Sequence, residues 1–220
     1  MDYQFRFDVV WANRDFLLAG LYYTLAISGV ALLMATLGGL VVALMSLSRL
    51  AAVRLVASSF GEVIRNTPIL VQLLWWYYVI PILSGLRVEA FTAVVVGLSV
   101  YSSAFIAEVF RAGIQAVPKG HKEAAQVLGL SAPQTFIRVV LPQAVRTILP
   151  PLASNFVILI KYSSLASYLA VGEITRRGME LQASTFRPLE IFTVIAVVYF
   201  VICFPLTMAT RYLEHRLARW

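Results

Sequence analysis

The sequence predicts an all-α membrane protein with five transmembrane helices, and three observations lead to this fold class. Of its 220 residues, 60% are hydrophobic and 13% are charged, and its mean hydropathy of +0.81 lies far above that of soluble domains. Several long stretches carry no charge, and a helix of roughly 18 such residues crosses about 30 Å of hydrocarbon. These stretches lack the period-two alternation of a barrel, and a backbone in lipid must satisfy its own hydrogen bonds, so the spans are helices.

The positions of the charges define the spans in order along the chain. Four stretches are free of charge, and a fifth carries Lys161 as its one charged residue. Within a single transmembrane domain of residues 1–220, we place the spans at about residues 17–47, 60–84, 88–111, 147–171 and 190–212. A polar segment of about residues 112–146 separates the third span from the fourth.

The distribution of Lys and Arg predicts which side of the membrane each segment faces. Of the 18 basic residues, eleven follow the first, third or fifth span, six lie on the other side, and Lys161 lies within a span. Since cytoplasmic loops carry an excess of basic residues, we expect the N terminus outside and the C terminus in the cytoplasm, together with segment 112–146. This bias explains most of the net charge of +7, and it implies no nucleic-acid partner.

Segment 112–146 reads as two short helices joined by a glycine. Pro118 fits the first turn of a helix that contains Glu123, and Gly129 ends it. Ser131 is a good N-cap for the second helix, with Gln134 completing a capping box. The segment is either an amphipathic connector on the membrane surface or a rigid docking element for a partner.

The spacing of residues in this segment resembles a known motif. Glu123-Ala124-Ala125, Gly129, Val139 and Leu141-Pro142 are similar to the EAA loop of bacterial ABC importer permeases, which reads EAA, three residues, G, nine residues, I, one residue, LP. The one departure within the loop is valine for isoleucine at position 139. In that family the loop inserts into a cleft of the cytoplasmic ATPase subunit.

Other stretches extend the resemblance to the polar amino acid subfamily, of the histidine, glutamine and glutamate type. These are RNTPILVQL (65–73), AFIAEVFRAGIQAVPKGHKEAA (104–125), LPPLASNFVILIKYSSLAS (149–167) and FRPLEIFTVIAVVYF (186–200). In one departure, Tyr162 stands where the family usually has Asp or Asn.

The resemblance implies a type I ABC importer permease fold in the bacterial inner membrane and import of polar or charged amino acids. It implies that Glu123, Ala124, Ala125, Gly129, Leu141 and Pro142 couple the chain to two cytoplasmic ATPase subunits, which supply ATP and Mg. An extracytoplasmic amino-acid-binding protein would deliver the solute. Five helices without an internal repeat are few to enclose a pathway, so we also expect a second permease copy or a paralogue.

We expect no catalytic residue, cofactor or metal in the chain itself. No GxxxxGK[ST] phosphate loop occurs, so the chain is not the ATPase. The two histidines, His121 and His215, lie in different polar segments without a ligand cluster, and the one cysteine, Cys203, has no partner for an intrachain disulfide.

Polar residues within the spans are the candidates for the substrate pathway, because ionisable groups at membrane depth are costly and usually functional. The candidates are Thr67, Gln72, Glu108, Lys161, Tyr162, Ser163 and Ser164. Lys161 with the three hydroxyls that follow it could hold a carboxylate, or Lys161 could extend to the interface. Glu108 could instead form an intrahelical pair with Arg111. Thr67 could simply cap a helix before Pro68.

A second function class remains open at this point. An ion-coupled secondary transporter or channel would use Lys161 and Glu108 as an ion or proton relay. The separation of these two charges along the spans and the lack of a second, repeated half of the chain disfavour it.

Overall fold

A computed structural model describes residues 4–217, so both ends of the predicted 1–220 domain lie outside the described residues. Within this range the chain is all-helical and contains no strand, which confirms the predicted fold class. The helices are α1 Asp8–Ala12, α2 Arg14–Ser46, α3 Ala51–Arg65, α4 Ile69–Ser84, α5 Ala90–Gln115, α6 Lys119–Val127, α7 Ala132–Leu169, α8 Ile174–Thr185 and α9 Pro188–Leu217.

Four helices, α2, α5, α7 and α9, are each long and apolar enough to cross a membrane. The pair α3 and α4, bent by 104° at a short break, gives up to five spans if it counts as one. The second span predicted from the sequence, about residues 60–84, includes the end of α3, this break and α4. Pro68 has no backbone N–H to donate and disfavours helical geometry at Thr67, and the chain therefore turns between Arg65 and Ile69.

The closest packing in the bundle is between α2 and α5. Ala31, Ala35, Gly39 and Ala43 lie on one side of α2 and are buried. A Cβ atom on Gly39 would lie 2.7 Å from Cγ2 of Ile106 on α5, closer than side chains approach each other. Small residues on this face allow the two helix backbones to approach closely.

Two apolar clusters hold the remaining helices. The first joins α2, α4, α5 and α7 through Ile27, Leu73, Leu98 and Leu159, all fully buried. The second packs α8 against α2 and α9, with fully buried Ile191 in it. Since α6 precedes α7 and α8 follows it, these two short helices lie at opposite ends of a helix about 57 Å long. We refer to the two ends of the bundle as the α6 end and the α8 end.

Candidate coupling surface and translocation pathway

The predicted coupling segment forms a compact helical turn at the α6 end. Helix α6 begins after Pro118, which acts as its N-cap instead of lying in its first turn as predicted. Glu123 and Ala124 are exposed on this helix, whereas Ala125 is buried against the chain itself. The side chains at positions 123 and 124 are therefore free to meet another molecule.

Gly129 ends α6 in the way the sequence predicts. Its φ of +80° lies in the left-handed region that side chains rarely adopt. The N–H of Gly129 donates to the carbonyl of Gln126 at 2.9 Å, and the N–H of Leu130 donates to that of Ala125 at 3.1 Å. These two bonds are those of a Schellman motif, and they hold the turn in one geometry.

The second half of the segment departs from the prediction of a separate short helix. Ser131 is the N-cap as expected, and its N–H donates to Oε1 of Gln134 at 2.9 Å within the capping box. The helix that begins there, α7, then runs without a break through Leu141 and Pro142 into the fourth span. A π-helical turn, Phe136–Val140, precedes Pro142 and accommodates a ring that an uninterrupted α-helix would clash with.

Two apolar side chains next to the glycine turn were missed from the sequence. Val127 is 87% exposed and Leu128 is 81% exposed, although both side chains are apolar. The sequence places both in the first short helix and gives no sign that this side of the helix is uncovered. An exposed apolar pair on a rigid, otherwise polar element indicates a surface for a partner.

The segment is mounted firmly on the bundle. Val117, Val140, Ala144 and Ile148 form a buried apolar cluster with the last turns of α5. Nδ1 of His121 on α6 lies 2.8 Å from Oε1 of Gln143 on α7. A displacement of α6 would therefore be transmitted to α5 and α7.

Lys161 lies beside the middle of α9 and is exposed in the single chain. It lines a groove of about 580 Å³ with Ser164 on α7 and with Tyr199, Cys203 and Arg211 on α9. Cys203 lies near the middle of α9, within the charge-free stretch 191–210. The Lys161 side chain is exposed to this groove in the single chain.

The structure does not bring the three hydroxyls after Lys161 into one cluster with it. Tyr162 turns toward α5, where its ring meets that of Tyr101 with centroids 5.8 Å apart. Ser163 is fully buried and donates to the carbonyl of Ile160 at 2.8 Å. Only Ser164 shares the groove with Lys161. Consecutive helical residues point about 100° apart, and this rotation separates them.

Glu108 forms the intrahelical ion pair that the sequence suggested. Its Oε2 accepts from Nε of Arg111 at 2.9 Å, and the second carboxylate oxygen also contacts the guanidinium. Both residues line a cavity of about 750 Å³ at the α6 end, together with Arg65, Thr147 and Asn155. Glu108 and Lys161 therefore lie in different cavities.

The side chain of Gln72 forms hydrogen bonds at the break between α3 and α4. Its Nε2 donates to the carbonyl of Ile64 in the last turn of α3 at 2.8 Å and to that of Thr67 in the break at 3.0 Å, where carbonyls lack regular intrahelical partners. The Thr67 hydroxyl donates back to Val63 at 2.7 Å. The buried Oε1 of Gln72 has no hydrogen-bond partner among the described residues.

A buried carboxylate at the α8 end was also missed. Glu173 is fully buried and caps α8, because its two oxygens accept from the N–H groups of Thr175 at 2.9 Å and Arg176 at 2.7 Å. The Tyr199 hydroxyl donates to it at 3.2 Å, and Oγ1 of Thr24 lies 3.5 Å away. Burial raises the pKa of Glu173, and these hydrogen bonds oppose the rise.

Glu190, on the first turn of α9, is a second fully buried carboxylate that the sequence did not single out. It accepts from the backbone N–H of Arg6 at 2.9 Å, and Nη1 of Arg187 lies 3.7 Å away. It therefore ties the N-terminal segment to α9. Among residues 4–217, no group of three or more His, Cys, Asp or Glu side chains is placed to hold a metal ion.

Proteins of similar sequence are transport permeases. Residues 18–219 match the family described as "Binding-protein-dependent transport system inner membrane component". The glutamine transport system permease protein GlnP of Escherichia coli (strain K12) is 40% identical over 219 residues, which covers 97% of this chain and 98% of that protein. The L-cystine transport system permease protein TcyB of Bacillus subtilis (strain 168) is 36% identical over 202 residues, covering 91% and 86%.

Solved structures agree with the sequence matches. A chain of an amino acid ABC transporter, crystallised with histidines, superposes with a TM-score of 0.91 at 37% identity and covers 97% of this chain and 100% of that one. The inward-facing MetNI methionine ABC transporter matches with a TM-score of 0.76 at 21% identity, covering 91% and 95%, which shows a shared fold. The chain therefore belongs to the family of inner-membrane components of binding-protein-dependent transport systems and has the helical fold of type I ABC importer permeases.

Proposed function

We propose that the chain is the permease subunit of an ATP-driven importer of polar or charged amino acids and that it docks a cytoplasmic ATPase subunit through the Glu123 segment. Relatives named for transport of glutamine and cystine support the substrate class. In this family the permease is not itself an enzyme, because the ATPase is a separate subunit. ATP and Mg therefore belong to that partner.

The surface around α6 carries the proposal. Glu123 and Ala124 are exposed beside Val127 and Leu128, and the capped turn at Gly129 fixes their relative positions. Burying one such apolar side chain in a partner stabilises a complex by about 1.5–3 kcal/mol. The small side chain of Ala124 lets the partner approach closely, and the packing against α5 and α7 would pass a movement of α6 into the bundle.

The excess of basic residues supports the orientation that this docking requires. It favours the α6 end and the C terminus in the cytoplasm and the N terminus outside. Two ATPase subunits would then act from the α6 end, and an extracytoplasmic amino-acid-binding protein would deliver solute at the α8 end.

A second permease copy or a paralogue completes the pathway in this proposal. One face of α7 is polar and accessible in the single chain: it carries Thr147, Ser154, Asn155 and Lys161. A lysine near the middle of the membrane faces protein or water rather than lipid. The groove beside Lys161 and Ser164 suits a solute carboxylate, and the sites of Thr67, Gln72, Glu108, Tyr162 and Ser163 remain proposed pathway positions.

The ion-coupled transporter or channel is not favoured. The family matched is one of binding-protein-dependent systems, and the two charges that a relay would need, Lys161 and Glu108, line separate cavities.

Solute-stimulated ATP hydrolysis tests the proposed substrate class. The permease, assembled with its ATPase subunits and binding protein in nanodiscs, is given acidic, basic, polar and aromatic amino acids in turn. We expect stimulation by one polar or charged class. Lys161→Met should raise the half-stimulating concentration tenfold or more, since one hydrogen bond to a charged group contributes about 1.5–3 kcal/mol, and Lys161→Arg should recover part of it. Uptake driven by an ion gradient through this chain alone would contradict the proposal.

A further inference from the structure

Helix α3 has a position that neither the predicted spans nor the coupling segment explains. It begins four residues after α2 ends at Ser46, at the α6 end of the bundle. At its other end, Arg65 lines a cavity with Glu108 and Arg111, which lie in the last two turns of α5. Both ends of α3 therefore lie where spanning helices end, and the bend of 104° to α4 turns α3 across the bundle instead of through it.

Hydrogen bonds fix α3 at both corners. Nη1 of Arg54 donates to the carbonyls of Ser48 and Arg49, each at 2.9 Å, just after the end of α2. At the far corner, Nε2 of Gln72 holds the carbonyl of Ile64 at 2.8 Å. These bonds fix the orientation of α3, so the side of the helix that faces away from the bundle stays at the surface of the chain.

Three different sides run along α3. The side toward the bundle carries Ala57 and Gly61, both buried. A polar side carries Arg54, Ser58, Glu62 and Arg65, at helical spacing. The third side carries Ala52, Val56, Ser59 and Val63, with Leu55 at its edge. On this side Val56 and Val63 are 59% and 65% exposed.

The exposed apolar side continues a surface of α2, and the segment around it is basic. Leu44 and Leu47 near the end of α2 and Leu50 in the connection are exposed as well. Residues 47–61 contain Arg49 and Arg54 and no acidic residue. A helix with an apolar side, a polar side and cations, held at the boundary of a bundle, has the properties of a helix that lies in a membrane interface.

We propose that α3 lies along the lipid interface at the α6 end, with Val56 and Val63 among the acyl chains and Arg49 and Arg54 against anionic phospholipid headgroups. That this leaflet is the cytoplasmic one rests on the proposed function, but the contact with lipid does not.

Quenching of a fluorescent label tests this contact. In a Cys203→Ala background, which removes the only native thiol, bimane is attached to Ser59→Cys on the apolar side or to Ser58→Cys on the polar side as the matched control. The whole transporter complex is placed in nanodiscs. We expect the Ser59→Cys label to be quenched by doxyl-labelled lipid and not by iodide, and the Ser58→Cys label to show the reverse.

The charge of the lipid is tested with the same label at Ser59→Cys. One cation near the surface enriches anionic lipid by about fivefold, so doxyl-labelled phosphatidylglycerol should quench more strongly than equal doxyl-labelled phosphatidylcholine. Arg49→Gln should reduce this difference.

Two results would overturn the proposal. A Ser59→Cys label that neither quencher reaches would mean that protein, such as a second copy of this chain, covers the side, and equal quenching by the two lipids would remove the anionic contact. Gly129→Asp, which we expect to uncouple the ATPase, should leave the quenching unchanged, so a failure of the proposed coupling is distinguishable from a failure of this inference.

Discussion

Single side chains in this protein often bond to backbone at the ends of helices. Glu173 accepts from two of the free N–H groups at the start of α8, Arg54 donates to two carbonyls just after α2, and Gln72 donates to a carbonyl in the last turn of α3. Each satisfies groups that a helix end leaves open, and in a membrane an open group is especially costly. The corners of the bundle therefore depend on a few polar residues.

Substitution of Glu173 tests this dependence. Glu173→Ala should lower the free energy of unfolding by about 0.5–2 kcal/mol through loss of the cap alone. The Tyr199 hydroxyl would lose its bond to the carboxylate and keep the Thr175 hydroxyl, 3.1 Å away, as a partner. Glu173→Gln keeps a carbonyl oxygen and should cost less. Thermal unfolding of the detergent-purified complex measures both, and equal midpoints for wild type and Glu173→Ala would contradict the role.

The same residue makes stability depend on pH. The pKa of Glu173 is raised on folding by burial, so the folded protein holds the proton more strongly than the unfolded chain does. Its contribution is therefore greatest below the unfolded pKa and is lost as pH rises through the folded pKa. We expect the stability of Glu173→Gln to rise relative to that of wild type as pH increases from about 4 to about 8. Parallel curves of unfolding midpoint against pH for the two proteins would exclude this.

The candidate site was only partly predictable at this scale. Glu123, Ala124 and Gly129 were identified because their spacing is local in the chain. Lys161, Tyr162 and Ser163 do not form the cluster that the sequence suggested, because consecutive residues of a helix point in different directions. Glu173 could not be found at all, since Thr24 and Tyr199 reach it only through tertiary packing.

At the scale of elements, α6 combines an exposed apolar pair with a rigid mounting. Val127 and Leu128 make so little contact with their own chain that the permease gains little from them. Under the proposed function, these two side chains would contribute to a complex with the ATPase subunit and little to the fold of the permease.

Replacing both residues by serine tests this separation. Val127→Ser with Leu128→Ser should change the stability of the isolated permease by no more than about 0.5 kcal/mol. It should weaken binding of the ATPase subunit by tenfold or more, since each buried apolar side chain contributes about 1.5–3 kcal/mol. Ile82→Ser with Leu83→Ser, an equally exposed pair on α4, is the control, and equal loss of binding in the two variants would count against the docking surface.

Close packing of α2 against α5 depends on Gly39. Gly29, on the same helix, provides a control. A Cβ at Gly39 would overlap Ile106, whereas one at Gly29 would meet nothing within 4 Å. Gly39→Val should lower stability by about 1–3 kcal/mol through overpacking, and Gly29→Val should have a much smaller effect. Similar thermal midpoints for the two variants would show that the close approach is not required.

The molecule as a whole follows its hydropathy pattern closely. The charge-free stretches correspond to helices α2, α4, α5 and α9, because burial in lipid requires long apolar runs. The pattern missed α3, since a helix lying in an interface mixes charges with apolar residues and has no long apolar run. It also missed the continuity of α7 with the coupling segment, because Pro142 is accommodated by a π turn.

Binding-protein-dependent, ATP-driven uptake into proteoliposomes measures the proposed coupling of the bundle to an ATPase through the Glu123 segment. Gly129→Asp and Gly85→Asp are matched, since both glycines have positive φ, +80° and +70°, and open space around them, but only Gly129 lies at the α6 end. We predict that Gly129→Asp inserts and folds but loses uptake, while Gly85→Asp retains its coupling to the ATPase. Normal uptake by a fully assembled Gly129→Asp complex would contradict a role of the Glu123 segment in coupling.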